Sequence, residues 1–275
     1  MFRHKSRRFL IASFPWIVST FLSSSSDAAA GELPPLDLAV INLDVAATNG
    51  DIPTISESLA AGTKVDALNP VGQTPLYFAA FSGKTDAVKL LLDKGANVNG
   101  GQAGNPIGTP FQAALLSNQI EIAKILLKGG KPPVDVHAKT LSLPATTLLV
   151  AVVDEKDADL LNVFIDHAVG IDPNEQTPII GWTALDSAII NKQNDLAEIL
   201  VRRLQGWHFT PNAVTGQTTL DLAIRDGTPK LVELILNKVP DLDLTAKNKF
   251  GQSALDAAAD KPETLRILVA HLKKQ

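Results

Sequence analysis

A seven-residue pattern recurs along the chain at nearly constant intervals, and such a repeat restricts the fold more than any single motif. Each copy starts with Thr or Ser and continues with an apolar run: TPLYFAA from residue 74, TPFQAAL from 109, TTLLVAV from 146, TALDSAI from 183, TTLDLAI from 218 and SALDAAA from 253. The steps are 35, 37, 37, 35 and 35 residues. Thirty-three residues before Thr74, INLDVAATNGD keeps the paired alanines Ala46 and Ala47. The chain therefore contains seven units, which cover residues 36–275.

Every unit has the same internal order. A short helix is expected to open at the Thr, because Thr is a good N-cap and the Pro that follows it at 75 or 110 loses no helical hydrogen bond. A polar turn such as Ser82-Gly83-Lys84 leads to a second helix with apolar residues at helical spacing, as in DAVKLLLDKG at 86–95. Gly95 is expected to end that helix with a positive φ. The predicted fold class is an all-α solenoid of helix-turn-helix units with extended loops.

The unit GQTPLYFAAFSGKTDAVKLLLDKGANVN at 72–99 resembles the ankyrin repeat family along its whole length. The resemblance covers about 240 residues, 36–275, and is weakest at 137–172, where the Pro and the turn Gly are missing. Because the steps exceed the roughly 33 residues of that family, the extra residues are expected in the loops. The resemblance implies a protein-binding scaffold that has neither catalytic activity nor a cofactor.

Gly83-Lys84-Thr85 matches the end of a phosphate-binding loop. That loop needs a Gly five residues earlier, between a strand and a helix, so that backbone N–H groups surround the phosphate. The required position is Phe78, and the preceding residues are predicted to be helical. We therefore interpret Gly83 as the turn between the two helices of one unit.

The first thirty residues have the order of an export signal. A basic start, MFRHKSRRFL, is followed by the apolar run Phe9–Leu22 and by Ala28-Ala29-Ala30, which predicts cleavage after Ala30. The run of 22 − 9 + 1 = 14 residues is shorter than the about 20 that span a bilayer, so no stable membrane anchor is expected after cleavage. Ser6–Ile11 also resembles a bacterial twin-arginine signal, and an organelle transit peptide or a plain tail remain alternatives. Residues 31–275 would then form a periplasmic or secreted repeat domain.

Charge and cysteine content exclude several functions. The net charge is −4, and residues 1–30 carry four basic side chains against Asp27, so the remainder carries −4 − 3 = −7. An acidic body argues against nucleic-acid binding, which requires Lys and Arg to neutralise phosphates. The absence of Cys excludes disulfides, thiolate zinc sites and cysteine nucleophiles. We expect a monomer that binds a protein partner.

The residues that could carry chemistry do not form a site. The five histidines are far apart in the sequence, at positions 4, 137, 167, 208 and 271, so no local metal motif exists. Asp186, Asp221 and Asp256 recur at one register of the repeat, which indicates a structural role near the start of a helix, where acids favour the helix dipole and bond loop N–H groups. Neither pattern predicts a catalytic or metal site.

The position seven residues after the Thr of each unit is the best candidate for a binding surface. It lies five residues, or about 500°, beyond the core position of Leu76, and so faces away from the core. In order, the units place there Thr48, Phe81, Leu116, Val153, Ile190, Arg225 and Asp260. An exposed apolar stripe usually marks an interface, so Phe81, Leu116, Val153 and Ile190 are predicted to bind a partner in the concave groove. The alternative is that residues 31–38 or the loops cover the stripe.

Three aromatic residues are adjacent candidates for partner contact: Tyr77, Trp182 and Trp207. Either Trp could equally serve packing. Two other functions remain open from the sequence. One is a small-ligand or enzyme site in the atypical region 137–182, lined by His137, His167 or Asp154. The other is a cell-envelope spacer that binds wall polymer.

Overall fold

The computed structural model of the protein describes residues 37–100, 108–137, 147–209, 211–212, 215–239, 241–248 and 250–274. In these residues fourteen α-helices form seven consecutive pairs: α1 Leu38–Asn49 and α2 Ile52–Ala60, α3 Pro75–Phe81 and α4 Thr85–Asp93, α5 Pro110–Leu116 and α6 Ile120–Gly129, α7 Leu148–Asp154 and α8 Ala158–His167, α9 Ala184–Ile190 and α10 Asn194–Arg203, α11 Thr219–Asp226 and α12 Pro229–Lys238, α13 Ala254–Ala257 and α14 Pro262–Leu272. Outside the helices, the described part of the chain contains one isolated bridge, between Asp135 and Val169.

The pairs stack in sequence order. Each first helix contacts the first helix of the next unit, from α1 to α13, and each second helix contacts the next second helix, from α2 to α14. Each unit thus packs on its sequence neighbours, which is the arrangement of a solenoid. The predicted all-α, helix-turn-helix architecture is confirmed.

Side-chain caps set where the first helices begin. Thr74, Thr109, Thr183, Thr218 and Ser253 each accept a hydrogen bond from the backbone N–H three residues later. This contact satisfies one of the N–H groups that a helix start leaves unpaired. The prolines after the first two caps occupy the first helical turn, as predicted.

The fourth unit departs from its predicted register by one residue. Thr147, not Thr146, caps α7, and its Oγ1 accepts a hydrogen bond from the N–H of Val150 at 3.3 Å. The steps between caps are therefore 109 − 74 = 35, 147 − 109 = 38, 183 − 147 = 36, 218 − 183 = 35 and 253 − 218 = 35. Two consecutive threonines precede the same apolar run, and the sequence pattern does not distinguish them.

The recurring aspartates complete these caps. Asp186, Asp221 and Asp256 each accept a hydrogen bond from the backbone N–H of their own cap residue, at 3.0, 2.8 and 2.9 Å. Asp186 also accepts one at 2.7 Å from the hydroxyl of Thr219 in the next unit. Their predicted structural role is confirmed, and one of them links two units directly.

Asparagines tie the loops of successive units together. Asn99 donates to the carbonyl of Pro133 at 2.7 Å and accepts from the N–H of Asp135 at 2.9 Å. Asn174 repeats the pattern with the carbonyl of Gly206 and the N–H of His208, both at 2.7 Å. These bonds satisfy loop backbone groups that helices cannot pair.

The segment around Gly83 is a helix-turn-helix junction. Gly83 directly follows α3 and its C-cap residue, with φ 71°, and its N–H donates to the carbonyl of Ala80. Gly95 has φ 85° after the end of α4, as predicted. A helix, not a strand, therefore precedes Gly83-Lys84-Thr85, in agreement with the interpretation of this stretch as a repeat turn.

Candidate partner-binding face

The residues seven positions after each cap form one row along the stacked first helices. We call this row the first-helix face: Thr48, Phe81, Leu116, Asp154, Ile190, Arg225 and Asp260. Thr48 is assigned by the match of Ala46-Ala47 to Ala79-Ala80, since α1 begins earlier than the other first helices. Neighbouring packed helices lie about 8–10 Å apart, which sets the spacing of the row.

Two exposed apolar side chains lie next to each other on this face. Phe81 is 47% exposed and Leu116 is 52% exposed, while Ala79, Ala80 and Ala114 on the same two helices are fully buried. The helices that carry them, α3 and α5, are in direct contact. For these two residues, the predicted orientation away from the core is confirmed.

The ring of Tyr77 packs against the ring of Phe81 and is buried instead of facing solvent. The two rings stack in parallel, with centroids 6.2 Å apart and an interplanar angle of 7°. Tyr77 is buried, and burial raises the pKa of its hydroxyl above the ordinary value. Tyr77 was predicted as a contact residue, but in the structure its ring positions Phe81.

Val153 does not belong to the exposed stripe. It is fully buried, so its predicted placement on the face is wrong. The cause is the register of the fourth unit. Because Thr147 caps α7, the seventh position after the cap is Asp154. Val153 precedes it by one residue, about 100° around the helix, and so faces the core.

The fourth unit therefore places acid in the middle of the face. Asp154 is exposed and accepts a hydrogen bond from Ser187 Oγ at 3.0 Å, and Glu155 follows it as the C-cap residue of α7. Partial burial, and then the charge of Asp154, raise the pKa of Glu155 above its ordinary value. Among the residues that the structure describes, no Lys, Arg or His forms an ion pair with either carboxylate.

The fifth unit returns to an apolar surface. Ile190 is half-buried on the face, and Trp182, the residue before the cap, is half-buried as well. In the sixth unit the same two registers are in contact, since Arg225 donates to Gln217 Oε1 at 3.1 Å. Trp182 and Ile190 occupy these two registers in the fifth unit, and both stay predicted contact residues.

Basic side chains of the sixth and seventh units have hydrogen-bond partners within the chain. Arg225 bonds the carboxylate of Asp226 through Nε at 2.7 Å. Lys261 donates to the carbonyls of Ile224 and Arg225, both at 2.7 Å, and so caps the end of α11. This end of the face has internal partners that the fourth unit lacks.

Trp207 lies in the core. It is 6% exposed, stacks on Phe209 with centroids 5.9 Å apart, and donates from Nε1 to the carbonyl of Leu204 at 3.3 Å. Its indole N–H is satisfied within the chain, so Trp207 serves packing, the second of the two roles that the sequence left open.

The loops before the first helices carry exposed apolar tips. In the fifth unit, Thr177 exchanges hydrogen bonds with Trp182, and the tip between them presents Ile179 and Ile180, of which Ile179 is 69% exposed. Leu68 and Phe250 are exposed in the corresponding loops of the second and seventh units. These side chains extend the apolar area beyond the helices.

The residues of the alternative small-ligand site are distributed over separate elements. His137 adjoins Gly170, His167 lies in the last turn of α8, and Asp154 bonds the fifth unit. Within the described ranges, no group of three His, Asp or Glu side chains is placed to hold a metal ion. Within the same ranges, no helix has the length and apolarity needed to cross a bilayer.

Sequence reasoning named Asp154 only for the alternative ligand site, and it missed Asp154 and Glu155 as residues of the first-helix face as well as the loop tips. The missing Pro and Gly of the fourth unit were the sequence signal that its register differs from that of the other units. For the tips, the signal in the sequence was the apolar pair Ile179-Ile180 between the turn-forming residues Pro178 and Gly181.

Comparison with known proteins agrees with this architecture. Residues 43–140 match the family model described as ankyrin repeats (3 copies). The fold is similar to the ankyrin repeat domain of Bcl-3, with a TM-score of 0.61, 21% identity and coverage of 83% of this chain and 97% of that domain. It is also similar to the human ASB11 ankyrin repeat domain, with a TM-score of 0.52, 23% identity and coverage of 83% and 96%. Residues 43–140 therefore match ankyrin repeats, and the described domain has the fold of ankyrin repeat domains.

The matching parts of curated relatives are short. The potassium channel AKT2/3 of Arabidopsis thaliana is 28% identical over 166 residues, 58% of this chain and 18% of the channel. The putative ankyrin repeat protein FPV024 of fowlpox virus is 32% identical over 148 residues, 47% of this chain and 24% of that protein. The chain thus spans a quarter or less of these relatives, and the match reflects the repeats.

Proposed function

We propose that this protein is a non-catalytic scaffold of the cell envelope, which binds a partner protein through the first-helix face and the loop tips. Ankyrin repeats generally mediate protein–protein interaction, and the match of residues 43–140 to such repeats supports this coarse function. The periplasmic or secreted location, the monomeric state and the absence of catalysis are parts of the proposal.

The observation that carries the proposal is the exposed pair Phe81 and Leu116 on adjacent helices. Large apolar side chains that are contiguous and exposed mark interaction sites. Burying such a side chain yields roughly 1.5–3 kcal/mol, whereas association costs about 4–15 kcal/mol. The pair alone does not hold a partner, so Ile190, Trp182 and the tips at Ile179 and Phe250 contribute the remaining contact area.

The test is in-cell crosslinking followed by pull-down in the organism from which the sequence comes. The wild type is compared with a variant that carries Phe81→Asp, Leu116→Asp and Ile190→Asp. A matched control carries Leu38→Asp and Val269→Asp, because both residues are exposed and apolar but lie off the face. Circular dichroism and thermal melting establish first that all three proteins fold.

A partner that is captured by the wild type and the control, and lost in the face variant, supports the proposal. A partner retained by the face variant moves the interface to the loop tips. If no protein is captured, binding of wall polymer or of a small ligand replaces the proposed function.

The proposed export has its own test. Residues 1–30 lie outside the described residues, and the proposal follows from their sequence pattern alone. Mass spectrometry of the protein recovered from cell fractions should show an N-terminus at Gly31 outside the cytoplasm. A variant with Arg7→Lys and Arg8→Lys, which keeps the charge, should block export if the twin-arginine route is used. An intact N-terminus in the cytoplasm would contradict export.

A further inference from the structure

Along the first-helix face, one acidic unit interrupts a series of apolar units. The second and third units present Phe81 and Leu116, the fourth presents Asp154 with Glu155, and the fifth presents Ile190. The helices of these units contact one another in this order, from α3 through α5 and α7 to α9. The acidic unit is therefore bordered by apolar surface on both sides.

The acidic unit has no basic partner within the described chain. Ser187 Oγ donates to Asp154, but a hydroxyl leaves the charge uncompensated. Lys156 and Lys192, in the turns between the two helices of the fourth and fifth units, form no ion pair with either acid. Lys124 bonds Asp157 at 3.0 Å instead. Elsewhere on the face, Arg225 does have a carboxylate partner in Asp226.

A half-buried carboxylate without a cation favours a positively charged ligand group. Partial burial and the adjacent Asp154 both disfavour the charged form of Glu155 and raise its pKa. A guanidinium or ammonium group from a partner would reverse both effects, since opposite charges stabilise each other most where water is partly excluded. Charge complementarity therefore selects a basic side chain at this point of the face.

We propose that the occupant of the first-helix face is a protein segment in which one Lys or Arg is flanked on both sides by apolar residues. The basic side chain binds Asp154 and Glu155, and the apolar residues contact Leu116 with Phe81 on one side and Ile190 on the other. This inference rests on the proposed function and specifies its partner.

The helix spacing defines the spacing of those residues in the partner. Neighbouring helices are about 8–10 Å apart. A polyproline II segment covers about 9 Å in three residues and returns to the same face, while an α-helix covers about 10 Å in seven residues. We therefore expect apolar residues three positions from the basic one in an extended partner, or seven in a helical one.

The experiment selects peptides from a random display library on the immobilised full-length chain. The probes are the displayed peptides themselves, and three proteins are compared. One is the wild type, and the second carries the charge reversal Asp154→Lys with Glu155→Lys. The matched control carries Asp86→Lys and Asp195→Lys, which changes the net charge equally at exposed acids of second helices.

The wild type and the control should enrich peptides with a basic residue between apolar ones, and the reversed variant should enrich acidic peptides. In a synthetic enriched peptide, replacing the basic residue by Gln should weaken wild-type binding about tenfold, equivalent to about 1.4 kcal/mol. The Gln change should have no effect on the variant with Asp154→Asn and Glu155→Gln. Circular dichroism verifies that each variant folds.

The inference is overturned if the three proteins enrich peptides of the same charge, or if the wild type enriches none above bare resin. The proposed function fails independently: loss of a crosslinked partner in the Phe81, Leu116 and Ile190 variant would uphold binding at the face even where peptides show no charge preference.

Discussion

At the scale of single residues, Asp44 is a carboxylic acid that is buried without enough hydrogen-bond donors around it. Asp44 occupies the repeat register of Asp186, but α1 begins at Leu38, so the residue three positions earlier is helical and offers no cap N–H. Asp44 is buried, accepts one hydrogen bond from Asn69 at 3.1 Å, and its Oδ1 has no partner. Burial raises the pKa of Asp44 from 3.8 to about 8, which exceeds the lowering by Asn69.

We expect Asp44 to make the protein less stable as the pH rises from about 4 to 8. The folded state keeps the proton that the unfolded state releases, so the contribution is full below pH 3.8 and is lost by about pH 8. Asp44→Asn removes this ionisation. The free energy of unfolding of the variant, relative to that of the wild type, should therefore increase by up to about 1.4 kcal/mol per pH unit across this window. Urea denaturation of both proteins from pH 4 to 9 measures it.

Asp186→Asn serves as the comparison. Burial raises the pKa of Asp186 as well, but hydrogen bonds from Thr183 and Thr219 oppose that rise, so its pH profile should change less than that of Asp44→Asn. Parallel pH profiles for wild type and Asp44→Asn would contradict the assignment of a buried, protonated carboxyl.

At the scale of elements, the turns between paired helices differ in how well their residues tolerate a left-handed backbone conformation. Gly50 and Gly83 occupy the left-handed position in the first two units, with φ 73° and 71°. In the next three units the same conformation is held by Asn118, Lys156 and Lys192, with φ 55°, 60° and 58°. A left-handed conformation costs a residue with a Cβ about 1–2 kcal/mol, and Asn tolerates it better than Lys.

We therefore expect Lys156→Gly and Lys192→Gly each to stabilise the fold by about 0.5–1 kcal/mol, the relief of strain less the added freedom of the unfolded chain. Asn118→Gly should have a smaller effect, and it is the matched control. Chemical denaturation of the three variants tests the order. A loss of stability for both lysine variants would mean that these side chains contribute contacts that outweigh the strain.

At the scale of the whole molecule, stability is shared between neighbouring units. Leu91 of α4 and Leu126 of α6 are fully buried in two adjacent second helices that contact each other. A solenoid has contacts only between sequence neighbours, so damage in one unit propagates through its two interfaces.

We expect Leu91→Asp to unfold the second unit and its neighbours, because it places an unpaired charge in the core. The measurement is far-ultraviolet circular dichroism with thermal melting, which should show lost helicity and a lower Tm. Lys89→Asp is the control, since Lys89 is exposed on the same helix and should leave both unchanged. Unchanged melting of Leu91→Asp would show that the second helices are misassigned.

The sequence by itself determined the repeat, the caps and the order of helices, because these depend on contacts within a few residues. Thr74, Pro75 and Gly83 specify a helix start and a turn wherever they occur in this spacing. The same local logic identified the structural role of Asp186, Asp221 and Asp256, and predicted that Phe81 and Leu116 would face outward.

Only the tertiary structure decided which side chains are exposed and available to a partner. Thr146 and Thr147 are equivalent as local caps, and packing of α7 against its neighbours selects Thr147, which buries Val153 and exposes Asp154. Trp207 is buried with its ring stacked on Phe209, which the repeat pattern does not single out, and Tyr77 is buried with its ring stacked on Phe81. Burial depends on the summed contacts of adjacent units, a non-local quantity, and it is burial that gives this protein an apolar face interrupted by acid.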